Sequence, residues 1–285
     1  MKLGIIQQQA NPGGDDALPH AEALVRDAAA QGAEVVVLPE LFRWPYPAQV
    51  MDPAQFSFAE PQSGETAAWA SELAAELGIV LVSSLFEEPA PGLGFNTALV
   101  HGTDGELLAT YRKAHIPDDP LYYEKFYFTP GDTPFGAVQT PFGVLGVLVC
   151  WDQWYPEAAR LVAMAGAQVI VYPTAIGTIE SEGPDEHARQ LDAWRIIQRS
   201  HAIANGVYVA AINRAGREGE LDFWGHSFVA GPQGELLWEA DAQPDLVQVV
   251  DCPLERVAEV RRMWPFFRDR RIDLYGGLLH RWGQS

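Results

Sequence analysis

The sequence predicts a single α/β domain whose mixed strands are covered by helices, and three observations lead there. Amphipathic helical segments alternate with apolar strands in both the N-terminal and the central parts of the chain. Two strand–turn–strand segments interrupt that alternation. No Pro/Gly/Ser tract, charge block or composition shift marks a boundary anywhere in residues 1–285.

The elements follow in order. KLGIIQQQ (2–9) reads as a strand, and EALVRDAAAQG (22–32) as a helix with Leu24, Val25, Ala28 and Ala29 on one face and Gly32 as its stop. EVVVL (34–38) is the next strand. TAAWASELAAELG (66–78) gives a second glycine-terminated helix, and IVLVSSLF (79–86) a mostly apolar strand after it. FNTALVH and ELLATYRK flank a TDG turn and form a hairpin, as does GHSFVAGPQGELLWEA (225–240). GELL recurs at 105–108 and 234–237 in the same strand–turn–strand context, which suggests two similar halves. Between the hairpins the pattern predicts a strand (144–149), a helix (155–166), a strand (168–172), a long helix (about 186–205) and a strand (207–213). The segment from about 264 to 285 mixes aromatics with a basic cluster, the composition of a tail that packs on a neighbouring subunit.

Composition narrows the function. The chain is 48 % hydrophobic, enough for a sizeable core, and carries a formal net charge of −19. That balance argues against nucleic acid, whose affinity comes largely from Lys and Arg on phosphates, and weakly favours a cationic small molecule. No 18-residue apolar run and no basic-then-apolar N-terminus is present, so neither a membrane span nor a signal peptide is expected, and the cytoplasm is the expected compartment. The 2 cysteines, Cys150 and Cys252, lie far apart and read as reduced thiols. The 7 histidines form no HxH or HxxxH pair and no CxxC occurs, so no metal is expected.

Three polar residues stand just beyond three strands: Glu40 after EVVVL, Lys113 after LLATYR and Cys150 after VLGVLV. In helix-covered sheets the carboxyl ends of the strands are where ligands bind. A buried cysteine alone is ordinary core, and Glu40 or Lys113 alone could be a cap or a surface charge. Together they supply a nucleophile, a base for its proton and a cation for the oxyanion formed when sulfur attacks a carbonyl. The turn CWDQWYPEAA strengthens the set, because a strand-to-helix turn projects a nucleophile and frees backbone N–H groups. Cys252 also ends a strand, but Pro253 follows it and it reads as structural.

VVVLPELF with Glu40, YRKAHIP with Lys113 and CWDQWYPEAAR with Cys150 resemble, in order and spacing, the three signature segments of the nitrilase superfamily of carbon-nitrogen hydrolases. The resemblance implies an α-β-β-α sandwich in which Glu40 is the general base, Lys113 the oxyanion stabiliser and Cys150 the nucleophile, with no cofactor. Glu124, in YYEKFYF, matches a second glutamate found in the family, with three readings left open: it orients Lys113, it orients water, or it forms an ion pair of no chemical consequence. Trp151 is implied as a backbone N–H donor. EKFYFTPGDTPF, YPTAIG and FFRDRRIDLY extend the resemblance toward family members that hydrolyse a cationic ureide. Such a substrate calls for a carboxylate or aromatic face at the far end of the pocket. Glu180, Glu182, Asp185 and Glu186 are the acidic candidates, with Trp154 and Tyr155 the aromatic ones. Oligomers, dimeric or larger, are common in the superfamily, and homo-oligomerisation is expected here. His115, two residues from Lys113, either orients a loop or serves as an ordinary hydrogen-bonded histidine.

Overall fold

The computed structural model describes residues 1–11 and 15–283. Its first half contains β1 (Lys2–Gln7), α1 (Leu18–Ala30), β2 (Val35–Val37), α2 (Glu65–Leu77), β3 (Val80–Ala90), β4 (Leu93–His101) and β5 (Leu107–Arg112). Its second half contains β6 (Val138–Thr140), β7 (Gly143–Val147), α3 (Pro156–Met164), β8 (Val169–Thr174), β9 (Gly177–Ile179) and α4 (Pro184–Asn205), then β10 (Tyr208–Asn213), β11 (Ala215–Glu218) and β12 (Leu221–Trp224). β13 (Phe228–Ala230), β14 (Leu236–Glu239), β15 (Leu246–Asp251) and α5 (Glu255–Met263) complete it.

Local chemistry explains the helix ends. Gly78 closes α2 at φ +64° and Gly206 closes α4 at φ +56°, left-handed positions that glycine occupies without a Cβ penalty. Pro156 opens α3 with Glu157 in its first turn, where the helix dipole favours an acid. α1 begins earlier than periodicity suggests, because Leu18 and Ala21 extend its buried face and Pro19 suits a first turn.

The strands form two six-stranded sheets ordered β15-β1-β2-β3-β4-β5 and β14-β13-β10-β8-β7-β6, and a small sheet ordered β11-β12-β9. The two large sheets repeat one plan. Three parallel strands (β1, β2, β3; β7, β8, β10) are followed by an antiparallel hairpin (β4–β5; β13–β14). β6 follows the first hairpin and pairs antiparallel with β7, just as β15 follows the second and pairs antiparallel with β1. Both GELL tetrapeptides lead into the outer strand of their hairpin, so the short repeat marks equivalent places in two equivalent halves.

Strand alternation sorts the core. Leu3, Ile5, Val35, Val37, Val80 and Val82 pack in one cluster with Val169, Val171, Val209 and Ala211 of the other sheet. Their neighbours Ile6, Val36, Leu38 and Leu81 turn the other way, onto Val25 and Ala28 of α1 and Leu73 and Ala74 of α2. The layers are therefore α-β-β-α. No helix among the described residues is long and apolar enough to cross a membrane.

Beyond α5, Phe267 still packs on the core, between the guanidiniums of Arg160 and Arg261. The remaining tail leaves apolar side chains in solvent, with Leu279 89 % and Trp282 87 % exposed beside Arg268, Arg270 and Arg271. Arg268 and Arg271 pair with Asp269 and Asp273 of the same tail, so the exposed apolar side chains are what this segment would offer a neighbour. Deleting residues 269–285 is expected to lower the mass measured by multi-angle light scattering while circular dichroism stays unchanged; an unchanged mass would remove the tail from any interface.

Candidate active site

β2 and β5 run in the same direction in the first sheet, so the residues that follow them emerge at one edge. Glu40 and Lys113 meet there, fully buried, with Lys113 Nζ donating to Glu40 Oε1 at 2.7 Å. The same ammonium donates to both oxygens of buried Glu124, at 2.9 and 2.7 Å. Burial opposes the charge on Lys113, but Glu124 and Glu40 outweigh it and hold the ammonium above its ordinary pKa. Burial pushes Glu124 up to about 7 against the pull of Lys113, with Glu40 adding to the rise. Two further side chains orient the carboxylates: Asn96 Nδ2 donates to Glu40 Oε1 at 2.6 Å, and Tyr46 O–H to Glu124 Oε1 at 2.6 Å. Glu40 Oε2 is buried with no hydrogen-bond partner among the described residues, so one lone-pair face of this carboxylate stays open for an incoming proton.

Cys150 begins a 3₁₀ turn, Cys150–Trp154, between β7 and α3, and adopts φ +41°, a left-handed conformation that non-glycine residues rarely take. Asp152 holds this turn from inside. It is fully buried and accepts the Val149 N–H at 3.0 Å, the Tyr111 O–H at 2.7 Å and the His115 N–H at 3.1 Å. The His115 ring adds a contact through Nδ1 at 2.6 Å. Burial, reinforced by the charge of Glu40 and opposed by Lys113, pushes the Cys150 thiol well above its ordinary pKa.

Cys150 opens into a cavity of ≈ 390 Å³. Trp151, Trp154 and Trp224 supply aromatic faces, and among the described residues Asp119 and Glu182 are the only charged ones lining it. Trp151 and Trp154 stand edge to face at 6.2 Å. Two expected substrate residues lie elsewhere. Tyr155, at the boundary of α3, stacks on the His115 ring with centroids 3.6 Å apart, so it braces the turn. Glu180 starts the 3₁₀ turn Glu180–Glu182; its side chain is 85 % exposed and faces Arg217 at 3.4 Å. Side chains of a 3₁₀ turn are spaced around its axis, and the one that reaches the cavity is Glu182, two residues on. Asp185 and Glu186 lie in the first turn of α4 and do not line the cavity.

Sequence reading passed over Tyr46, Asn96 and Asp119. Asp152 stands in the quoted CWDQWY turn, whose aromatic and acidic residues were expected to shape the pocket and hold the turn, with the division between the two left open; Asp152 holds the turn. Cys150 and Cys252 are both free and buried. Among the described residues, no three His, Cys, Asp or Glu side chains gather into a set that would hold a metal ion.

The sequence model described as carbon-nitrogen hydrolase matches residues 2–262. The chain is 44 % identical to N-carbamoylputrescine amidase of Arabidopsis thaliana over 268 residues, 91 % of this chain and 88 % of that one. It is 33 % identical to citrullinase of Francisella tularensis over 99 % of both chains. The crystal structure of a carbon-nitrogen hydrolase from Helicobacter pylori G27 superimposes with a TM-score of 0.95 at 44 % identity, covering 99 % of each chain. An amidase mutant from Nesterenkonia sp. AN1, with the acetamide moiety of fluoroacetamide added covalently at its active-site cysteine, superimposes with a TM-score of 0.74 at 31 % identity, covering 96 % of this chain and 95 % of that one.

Asp152→Asn tests the turn. The amide keeps the volume but sets a donor against donors from Tyr111, Val149 and His115, so a loss of about 1–3 kcal/mol is expected. Chemical denaturation should show it as a lower midpoint with an unchanged slope, and an unchanged midpoint would refute the brace.

Proposed function

The chain belongs to the carbon-nitrogen hydrolase family, and from that premise we propose that it hydrolyses N-carbamoylputrescine to putrescine, carbon dioxide and ammonia. The observation that carries the choice of substrate is the charge of the cavity. Asp119 and Glu182 line it and, among the described residues, no Lys, Arg or His does, so a substrate with a distal ammonium finds opposite charge while a distal carboxylate meets two like charges. Trp151, Trp154 and Trp224 add π faces suited to an alkylammonium. The 44 % identity to the Arabidopsis enzyme supports the same reading. Citrulline and β-ureidopropionate share the ureide, but citrulline carries a carboxylate beside its distal ammonium and β-ureidopropionate a carboxylate alone.

Glu40 takes the thiol proton as Cys150 sulfur attacks the ureido carbonyl. The oxyanion is held by the Lys113 ammonium and the Trp151 N–H, which has no acceptor among the described residues. Glu40 then returns its proton to the departing ammonia, leaving an N-alkylcarbamoyl thioester. Water attacks that thioester with Glu40 taking its proton; the thiol is regenerated, and the carbamic acid separates into carbon dioxide and the diamine. Glu124 fixes Lys113 and contributes no proton in this scheme. The same reading places the reaction in diamine supply for polyamine synthesis.

Ammonia and putrescine formation from N-carbamoylputrescine, run beside citrulline, β-ureidopropionate and simple amides, tests the assignment. A preference for any competitor would overturn the substrate and leave the chemistry standing. Cys150→Ala should abolish turnover, which disposes of a non-catalytic scaffold role, and Lys113→Ala should cost about 10²–10³-fold in kcat. Glu182→Gln should raise KM for the cationic ureide about 5–10-fold with kcat little changed, as expected for a contact made equally in ground and transition states.

A further inference from the structure

Arg214 follows β10 directly and is 2 % exposed. Its guanidinium is spent on backbone: Nε donates to the Glu40 carbonyl at 3.0 Å, and Nη2 to the carbonyls of Leu41 and of Trp44, the latter at 2.9 Å. Nη1 reaches the carboxylate of Glu218 at 3.3 Å, and that side chain is also buried. Glu218 in turn accepts the Tyr46 N–H at 2.6 Å, the Gln49 amide at 3.2 Å and the Asn11 N–H at 2.8 Å. One ion pair therefore gathers both the carbonyls and an amide of the segment 40–49. That segment carries Glu40 and Tyr46, the two groups that set the catalytic carboxylates. It also carries Leu41 at φ +47°, a conformation a branched residue avoids unless its surroundings impose it.

A buried guanidinium is expensive to desolvate, and neutral donors could have satisfied three carbonyls. What the planar fork adds is simultaneous, directional contact with several acceptors at fixed spacing, which a lysine cannot reproduce. We propose that the Arg214–Glu218 pair is a positioning clamp for the reaction, holding the Glu40 backbone and Tyr46 so that the two carboxylates stay registered on Lys113 and within reach of the reacting atoms. The proposal rests on Glu40 being the base for Cys150.

The test uses Arg214→Lys in the full chain, with wild type and Glu40→Gln beside it, all checked for a cooperative thermal transition. Two readouts are taken: steady-state ammonia release, and the rate at which iodoacetamide alkylates Cys150 as a function of pH, followed by mass spectrometry. Arg214→Lys is expected to lower kcat about 10²-fold with KM close to wild type, the loss that a displacement near 1 Å produces, and to move the pH profile of alkylation away from that of wild type. A folded Arg214→Lys with kcat within about threefold of wild type, or with the change confined to KM, overturns the clamp. If that variant does not fold, Glu218→Gln is read in the same way; failure of both to fold assigns the pair to stability alone and also overturns it. Ammonia release by Glu40→Gln within about threefold of wild type would sink the base assignment, whereas its loss there with near-normal release by Arg214→Lys would sink only the clamp.

Discussion

The buried ammonium of Lys113 is the constraint on which the rest of the site depends. A fully buried lysine keeps its proton only if opposite charges replace the water it has lost, and removing one partner of such a set leaves an uncompensated charge in the interior. Glu40 and Glu124 meet that need from two different loops. Each carboxylate then needs its own orientation, which Asn96 and Tyr46 provide. The need spreads outward, because Tyr46 is placed by Glu218 and Glu218 is neutralised by Arg214. Lys113 offsets the two acids beside it and Arg214 offsets Glu218, so each buried charge in this chain of contacts has an opposite neighbour.

The fold makes that chain possible by bringing the carboxyl ends of parallel strands from two sheets to one place. Glu40 and Lys113 come from the first sheet, Cys150 and Arg214 from the second. A packed aromatic group fixes the segment that carries Glu124: Phe86 meets Phe128 edge to face at 4.8 Å, and Phe56 and Tyr127 lie 5.4 Å apart. Rigidity is useful here, since a charged network that breathes would admit water and lose the low-dielectric setting that makes the Lys113 charge effective toward an oxyanion.

The parts of this that sequence made legible are the local ones. Apolar periodicity located the strands and helices because strand alternation and helical spacing act over a few residues, and the positions of Glu40, Lys113 and Cys150 after strands followed from that alone. The α-β-β-α layering came from the resemblance of three motifs, while the equivalence of the halves surfaced only as one tetrapeptide, GELL, at two equivalent hairpins. Tyr46, Asn96 and Arg214 were not legible, because each acts across a contact between distant segments, 78 residues in the case of Tyr46 and Glu124 and 174 in that of Arg214 and Glu40. Glu180 and Glu182 sit in the same short acidic stretch, and composition cannot separate them; the geometry of a single 3₁₀ turn sends one to solvent beside Arg217 and the other to the cavity. Tyr155 was chosen for its ring, and a ring stacked on His115 has no face left for a substrate on that side.

Net charge alone was weak guidance, but its distribution is informative. Glu40 and Glu124 offset the Lys113 charge, so it gives the cavity no long-range attraction for anions. Asp119 and Glu182 then set the sign that an entering molecule meets. For the proposed substrate this division has a consequence at the end of the cycle. Loss of carbon dioxide removes the carbonyl oxygen that Lys113 and the Trp151 N–H would hold. The distal ammonium still faces carboxylates, but the diamine is held at one end where the ureide is held at two, and that difference favours its departure over its retention.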